Sequence, residues 1–328
     1  MPSKQHPHGG RQARLLDESG EAWYHVYNRV ACHKDEYPLD AASEAKSTLS
    51  NFIDFYTAAY SCQVATYAIM GNHYHLVLKM APYQKLSEEE LQEKAALFYP
   101  NTHAQTQYWL PEHWEAFNRR LFSLPDLMRN IQQGFSRWFN KSQKRRGRLW
   151  ADRFKSTLLY GEKTLLECMQ YVDLNSVRAG LVARPEDDEH GAYAKRQKQA
   201  LSEHFLSFNE LLHESDEQKA IAAYRTQVYL RGNIASKEGQ AEISDEEVER
   251  VLNAPFDFGC PKHGEKRDHL RFFLDGLVLG SKERVERWLN ELRSSGHYKR
   301  RKHPKSIGGG DSAEWFCLRE QRSHFQGG

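Results

Sequence analysis

No apolar run in this chain approaches the ~20 residues that a bilayer-spanning helix needs. The opening stretch, MPSKQHPHGGRQARLLDESGE, lacks the apolar segment of a secretory leader. Cysteine is scarce: Cys32, Cys62, Cys168, Cys260 and Cys317 are odd in number and form no C-x-x-C pair. That excludes a disulfide framework and a zinc–thiolate site. An excess of one charge is also missing, since 46 Lys and Arg face 44 Asp and Glu for a net of +2. A chain-wide polyanion binder is thereby excluded, whereas a local basic patch is not. What is present is a 328-residue chain, 39% hydrophobic and 12% aromatic. It is too long for one small core and about right for two domains. These features predict a cytoplasmic protein with no membrane segment.

The polar residues 1–20 predict a disordered tail. From Trp23, WYHVYNRV alternates as a half-buried strand does. SEAKSTLSNFIDFYTAAY, residues 43–60, has helical spacing and a serine able to cap it. CQVATYAIM and HYHLVLKM are strand-like runs joined by Gly71–Asn72, a hairpin turn. Strand, helix and hairpin predict an α+β fold, with an antiparallel sheet and helices on one face. Residues 81–118 interrupt the pattern and are expected to lie over the sheet as an insertion. A helix follows at 124–140, then a short strand, STLLY, and a helix from about Glu162 to Arg178. The acidic turn at 185–193 marks a boundary between residues 21–183 and a mostly helical region at 184–328.

Three groups of residues carry chemistry. On a strand, positions i and i+2 share a face, so His73 and His75 present two imidazoles side by side. Two histidines leave open positions on a shared metal ion, although H-x-H also recurs by chance in a chain with 16 histidines. On the later helix, Tyr171, Asn175 and Arg178 fall within about 60° of one another. Leu165, Met169 and Val172 form its buried side, which predicts an exposed tyrosine with an amide one turn away.

The third group is basic. Residues 119–155 hold eleven Lys or Arg and two acids, a local net of +9. Arg137, Lys144, Arg145, Arg146, Arg148, Arg153 and Lys155 are candidate phosphate contacts, and Trp150 among them is a candidate base-stacking surface. Cations beside aromatics are what a single-stranded nucleic-acid groove requires.

YHVYNRV, YAIMGNHYHLVL, GRLWADRFKSTLL and YVDLNSVRAGLV, in this order, resemble the single-tyrosine HUH transposases. More narrowly, the chain is similar to the REP-associated tyrosine transposases of bacteria over residues 22–183. The resemblance implies a ferredoxin-like HUH catalytic domain that cuts and rejoins single-stranded DNA, on hairpins of REP-like repeats. It implies Tyr171 as nucleophile and His73, His75 and Asn175 as ligands of Mg²⁺ or Mn²⁺. A 5′-phosphotyrosine link then conserves the bond energy, and no nucleotide cofactor is needed. Arg178 is placed to supply charge. Gly71 and Ser176 stand where the family often has proline. The segments FFLDGLVLGSKERVERWL and WFCLRE resemble C-terminal extensions of longer members. The resemblance leaves open a monomer or a homodimer, and a tyrosine serving its own or a partner's site. It also implies a bacterial cytoplasmic, nucleoid-associated location. The competing reading is a non-catalytic regulator that binds hairpin nucleic acid. Ligation needs neutral imidazole, so activity is expected to fall below pH 6 to 6.5.

Overall fold

The computed structural model describes residues 14–33, 36–42, 44–198, 201–235, 239–253, 270–295, 303–307 and 315–319. Ser43, the basic run Lys299–Lys302, the glycine-rich break at 308–310 and residues 1–13 of the expected tail lie outside the described residues.

The strands are β1 (Trp23–Arg29), β2 (Cys62–Ile69), β3 (His73–Met80), β4 (Lys155–Leu159), β5 (Gly276–Gly280), β6 (Lys305–Ile307) and β7 (Trp315–Arg319). The helices of the first half are α1 (Pro38–Ala41), α2 (Ala45–Ala59), α3 (Glu88–Phe98), α4 (Pro111–Leu121) and α5 (Leu124–Ser142). Then come α6 (Glu162–Asp173), α7 (Asn175–Arg178), α8 (Ala192–Gln197) and α9 (Phe208–Leu212). The chain continues through α10 (Glu217–Gly232), α11 (Asp245–Leu252), α12 (Leu270–Asp275) and α13 (Lys282–Ser294).

Among the described residues the result is a mixed α+β structure around a seven-stranded sheet, ordered β2-β3-β1-β4-β5-β7-β6. β1 pairs antiparallel with both β3 and β4, and the hairpin turns at Gly71–Asn72, where Met70 N–H donates to His73 O at 2.8 Å. Glycine is required at the first turn position. A Cβ there would collide with the Asp40 carboxylate and lie 2.8 Å from the Tyr37 ring, because α1 docks on the turn.

Several expectations change. Helices cover both faces of the sheet rather than one. Tyr24, Val26, Leu76 and Leu158 face α2 and α5, whereas Trp23, Val77 and Leu159 face α6 and α10. The reason is visible in β2, where the last six residues are all buried, and a strand buried on consecutive positions needs a layer on each side. The sheet is also not wholly antiparallel. β5 lies parallel to β4, so the region after residue 184 adds strands as well as helices. GLVLG is a short apolar run, and periodicity alone does not separate such a strand from buried helix.

The interruption at 81–118 contributes α3 and most of α4, which pack chiefly on α2 and α5. Phe98, Tyr99, Trp109, Trp114 and Phe117 hold it together, with the two tryptophan rings 4.9 Å apart. Residues 14–20, expected in the tail, are ordered by packing. Leu15 enters the core, and Asp17 accepts from Ala22 N–H at 2.8 Å while its own N–H donates to the Tyr24 hydroxyl at 2.6 Å.

Candidate active site

Strand alternation places Trp23, His25, Tyr27 and Arg29 on one sheet face. The register sets Arg29 opposite His73, Tyr27 opposite His75 and Lys155, and His25 opposite Thr157. One polar row thus crosses three strands, on the side covered by α6. The His73 and His75 rings stand 5.0 Å apart and perpendicular. Tyr171 reaches down from α6 so that its ring lies 5.6 Å from His75. The two histidines and the tyrosine, nearly 100 residues apart in sequence, are brought together.

Tyr171 is not the exposed residue its helix periodicity predicts. It is only 6% exposed, because both sides of α6 are covered. Phe273 of α12 stacks on it, with centroids 5.5 Å apart and planes 23° from parallel. Burial drives the phenol pKa upward, and the Arg178 charge and the Asn175 amide pull the other way. The helix breaks at Leu174, so Asn175 and Arg178 belong to α7. Arg178 Nη1 is a buried donor with no hydrogen-bond partner among the described residues, and the buried Asn175 Nδ2 neighbours the Tyr171 hydroxyl. A phosphate oxygen beside Tyr171 would satisfy both.

Burial pushes His73 down to about 4, with the Arg29 charge adding to it. His25 also falls to about 4, again by burial. His75 is driven well below the ordinary histidine range by burial and by its two histidine neighbours. Neutral imidazoles therefore persist well under the pH 6 to 6.5 expected from the sequence.

His73 Nδ1 contacts Asn72 Oδ1 at 2.8 Å, and Asn72 Nδ2 donates to Glu36 O at 3.1 Å. Among the described residues this leaves His73 Nε2 available to a cation. Among the described residues no three His, Cys, Asp or Glu groups converge as a metal cage. A divalent ion would therefore take His73 and His75, with the Asn175 amide as the remaining donor. Imidazole donors suit Mn²⁺ better than Mg²⁺, and the amide oxygen suits either.

The sequence missed His25. It is fully buried in β1, and its Nε2 lies 2.9 Å from His75 Nδ1. The signal was its even spacing from Tyr27 in WYHVYNRV, but only the β1–β3 register reveals its partner. Tyr27 also belongs here, donating to Leu274 O at 2.6 Å.

The basic window divides. Arg137, Lys144, Arg146, Arg148, Arg153 and Lys155 are exposed. Arg145 instead braces its own loop, donating to Arg148 O at 3.2 Å with its guanidinium over Phe139. Trp150 is corrected from a stacking surface to a core residue. It is 9% exposed, packs on Tyr74 and Phe135, and donates to Gln132 O at 3.1 Å. Lys155 sits over the Tyr27 ring at 5.8 Å. With Arg14, Arg153, Ser156, Leu274 and Leu277 it lines a cleft of about 110 Å³ beside the histidine row.

The sequence matches no protein-family profile and no curated protein. Among solved structures it is similar to a REP-associated tyrosine transposase bound to a REP hairpin. That match has 11% identity over 60% of this chain and 88% of the other, with a TM-score of 0.37. No helix among the described residues is long and apolar enough to cross a membrane.

Proposed function

We propose that this protein is a single-strand DNA endonuclease and strand-transferase, a transposase acting on hairpin-containing repeat DNA through Tyr171. The observation that carries the reading is the assembly of Tyr171 against His75 and His73, with two buried donors, Asn175 Nδ2 and Arg178 Nη1, on the adjoining turn. Such a group matches the needs of phosphodiester transfer: a nucleophile, donors for phosphate oxygens, and ligands for a cation.

In this reading Tyr171 Oη attacks phosphorus. The bond to the 3′ oxygen breaks, the 3′ hydroxyl leaves with a proton, and a 5′-phosphotyrosine remains. Arg178 and Asn175 hold the non-bridging oxygens and stabilise the charge that develops on them. His73, His75 and Asn175, the last through its Oδ1, would hold Mg²⁺ or Mn²⁺, which would supply Lewis-acid neutralisation of the phosphate. Reversal with a different 3′ end rejoins the strand without a nucleotide cofactor. Acting on DNA would place the protein at the bacterial nucleoid.

A second reading, a non-catalytic hairpin-binding regulator, draws support from the cover over Tyr171, since a nucleophile behind Phe273 does not meet a phosphate until α12 moves. One experiment separates the two. Labelled single-stranded hairpin DNA is incubated with protein and Mn²⁺, then resolved under denaturing conditions. A covalent protein–DNA band that vanishes in EDTA and in His73→Ala and His75→Ala supports the transferase. Tight binding without such a band supports the regulator.

A further inference from the structure

A backbone carbonyl only accepts hydrogen bonds. The 3.0 Å contact between His25 Nδ1 and Phe273 O therefore places the His25 proton on Nδ1. Thr157 Oγ1 lies 3.1 Å from the same carbonyl but donates its single proton to Gly276 O at 2.7 Å, which leaves the Phe273 carbonyl to His25. A neutral imidazole has one proton, which leaves a lone pair on His25 Nε2. The 2.9 Å contact to His75 Nδ1 must then be donated by His75. The rings are 19° from parallel with centroids 5.1 Å apart, the arrangement of an in-plane N–H···N contact between neighbouring rings. His75 is thus left with its lone pair on Nε2.

His73 reaches the same state by a separate route. The Asn72 Nδ2 bond to Glu36 O orients that amide, so Oδ1 faces His73 Nδ1 and accepts its proton. Two neighbouring histidines are held as the same tautomer by two unconnected chains of hydrogen bonds, each ending on a backbone carbonyl.

We propose that His25 is a positioning residue: it fixes His75 as the Nδ1–H tautomer, so that Nε2 is presented to a divalent cation, and the Phe273 carbonyl of α12 sets the direction of this relay. The inference rests on reading His73 and His75 as ligands. It makes α12 part of the metal site without contributing a ligand. Hydrogen-bonded partners behind metal-bound histidines set ring orientation and basicity in just this way.

The test reads protonation directly in metal-free protein. Long-range ¹H–¹⁵N correlation of the histidine rings identifies the protonated nitrogen of each. In the wild type, His73 and His75 should both be Nδ1–H. In His25→Phe, which retains the ring volume but accepts nothing, His75 should gain Nε2–H while His73 stays unchanged. His25→Gln places an amide oxygen near the lost Nε2 and should restore Nδ1–H at His75. Mn²⁺ affinity, followed by electron paramagnetic resonance, should fall about 10- to 100-fold in His25→Phe and recover in His25→Gln. The relay is overturned if wild-type His75 carries Nε2–H, a result that needs no variant to fold. It is equally overturned if His75 keeps Nδ1–H in a folded His25→Phe. A wild type with both histidines Nδ1–H and no Mn²⁺ binding would instead reject the ligand reading and leave the relay standing.

Discussion

Tyr171 lies against Phe273 with ring centroids 5.5 Å apart, and Phe273 also meets His25 edge-on at 6.3 Å. One residue from the far end of the chain therefore covers the candidate nucleophile and, through its carbonyl, anchors the histidine behind the candidate ligands. Phe273 is 1% exposed. Its replacement by alanine should lower stability by about 3–5 kcal/mol, the usual range for a buried Phe→Ala change, as read from urea unfolding. In the folded variant, nitration of Tyr171 by tetranitromethane should proceed several-fold faster than in wild type. An unchanged nitration rate would mean that α12 does not shield the phenol.

Tyr171→Phe removes only the phenol oxygen from a ring held by stacking, so fold and DNA binding should persist while the covalent adduct disappears. Other tyrosines are poorly placed to substitute. Tyr74 points to the opposite sheet face, where Gln132 donates to its hydroxyl at 2.8 Å, and the Tyr160 hydroxyl accepts from Trp288 at 2.9 Å. Tyr27 is the nearest remaining candidate, beside His75 at 5.9 Å. Adduct in Tyr171→Phe at wild-type yield, lost only in a Tyr27→Phe double variant, would transfer the role to Tyr27.

The features local in sequence were the legible ones. His73 and His75 alternate on one strand, Gly71–Asn72 makes the turn, and Tyr171 and Asn175 lie one helical turn apart; each depends on spacing alone. The part played by His25 depends on register, because it lies diagonal to His75 across strands whose offset no local pattern fixes. The cover by Phe273 was hidden for another reason: α12 and β5 reach the site by packing against β4, more than 110 residues earlier. Trp150 shows the converse error. Its basic neighbours suggested a nucleic-acid surface, but the ring is larger than any of them and fills the space between Tyr74 and Phe135.

Asp173 follows the opposite titration logic to the histidines. It is buried, with Thr66 Oγ1 and the Tyr224 hydroxyl donating to its two oxygens at 2.5 and 2.6 Å. Burial outweighs those bonds and raises its pKa from 3.8 to about 6. Between these values the folded state binds more protons than the unfolded one, so this group's contribution to stability falls as pH rises through the window. Asp173→Asn does not titrate. Its stability relative to wild type should therefore improve by roughly 1–3 kcal/mol from pH 4 to pH 6.5, because each tenfold change in proton affinity corresponds to about 1.4 kcal/mol. Denaturant melts of both proteins across that range provide the measurement. A pH-independent difference would mean that Asp173 ionises normally.

The loop between α5 and β4 makes a prediction that separates phosphate contacts from structural arginines. Lys144, Arg146 and Arg148 are exposed, whereas Arg145 is bonded to its own loop. If the exposed three meet DNA phosphates, each releases counterions, and for single strands each lost contact flattens the log–log salt slope by about 0.7. The triple alanine variant should therefore flatten the slope by about 2. Adding Arg145→Ala should change it little further and should instead lower the melting temperature by loosening the loop. Phosphate contacts carry no base information, so a hairpin and its scrambled counterpart should weaken together. Titrations at several salt concentrations with both DNAs test all of this at once. If the triple variant keeps the wild-type slope, the loop is a solvated connection, and the strand is to be sought along Arg14, Arg153 and Lys155, which line the cleft beside the histidine row.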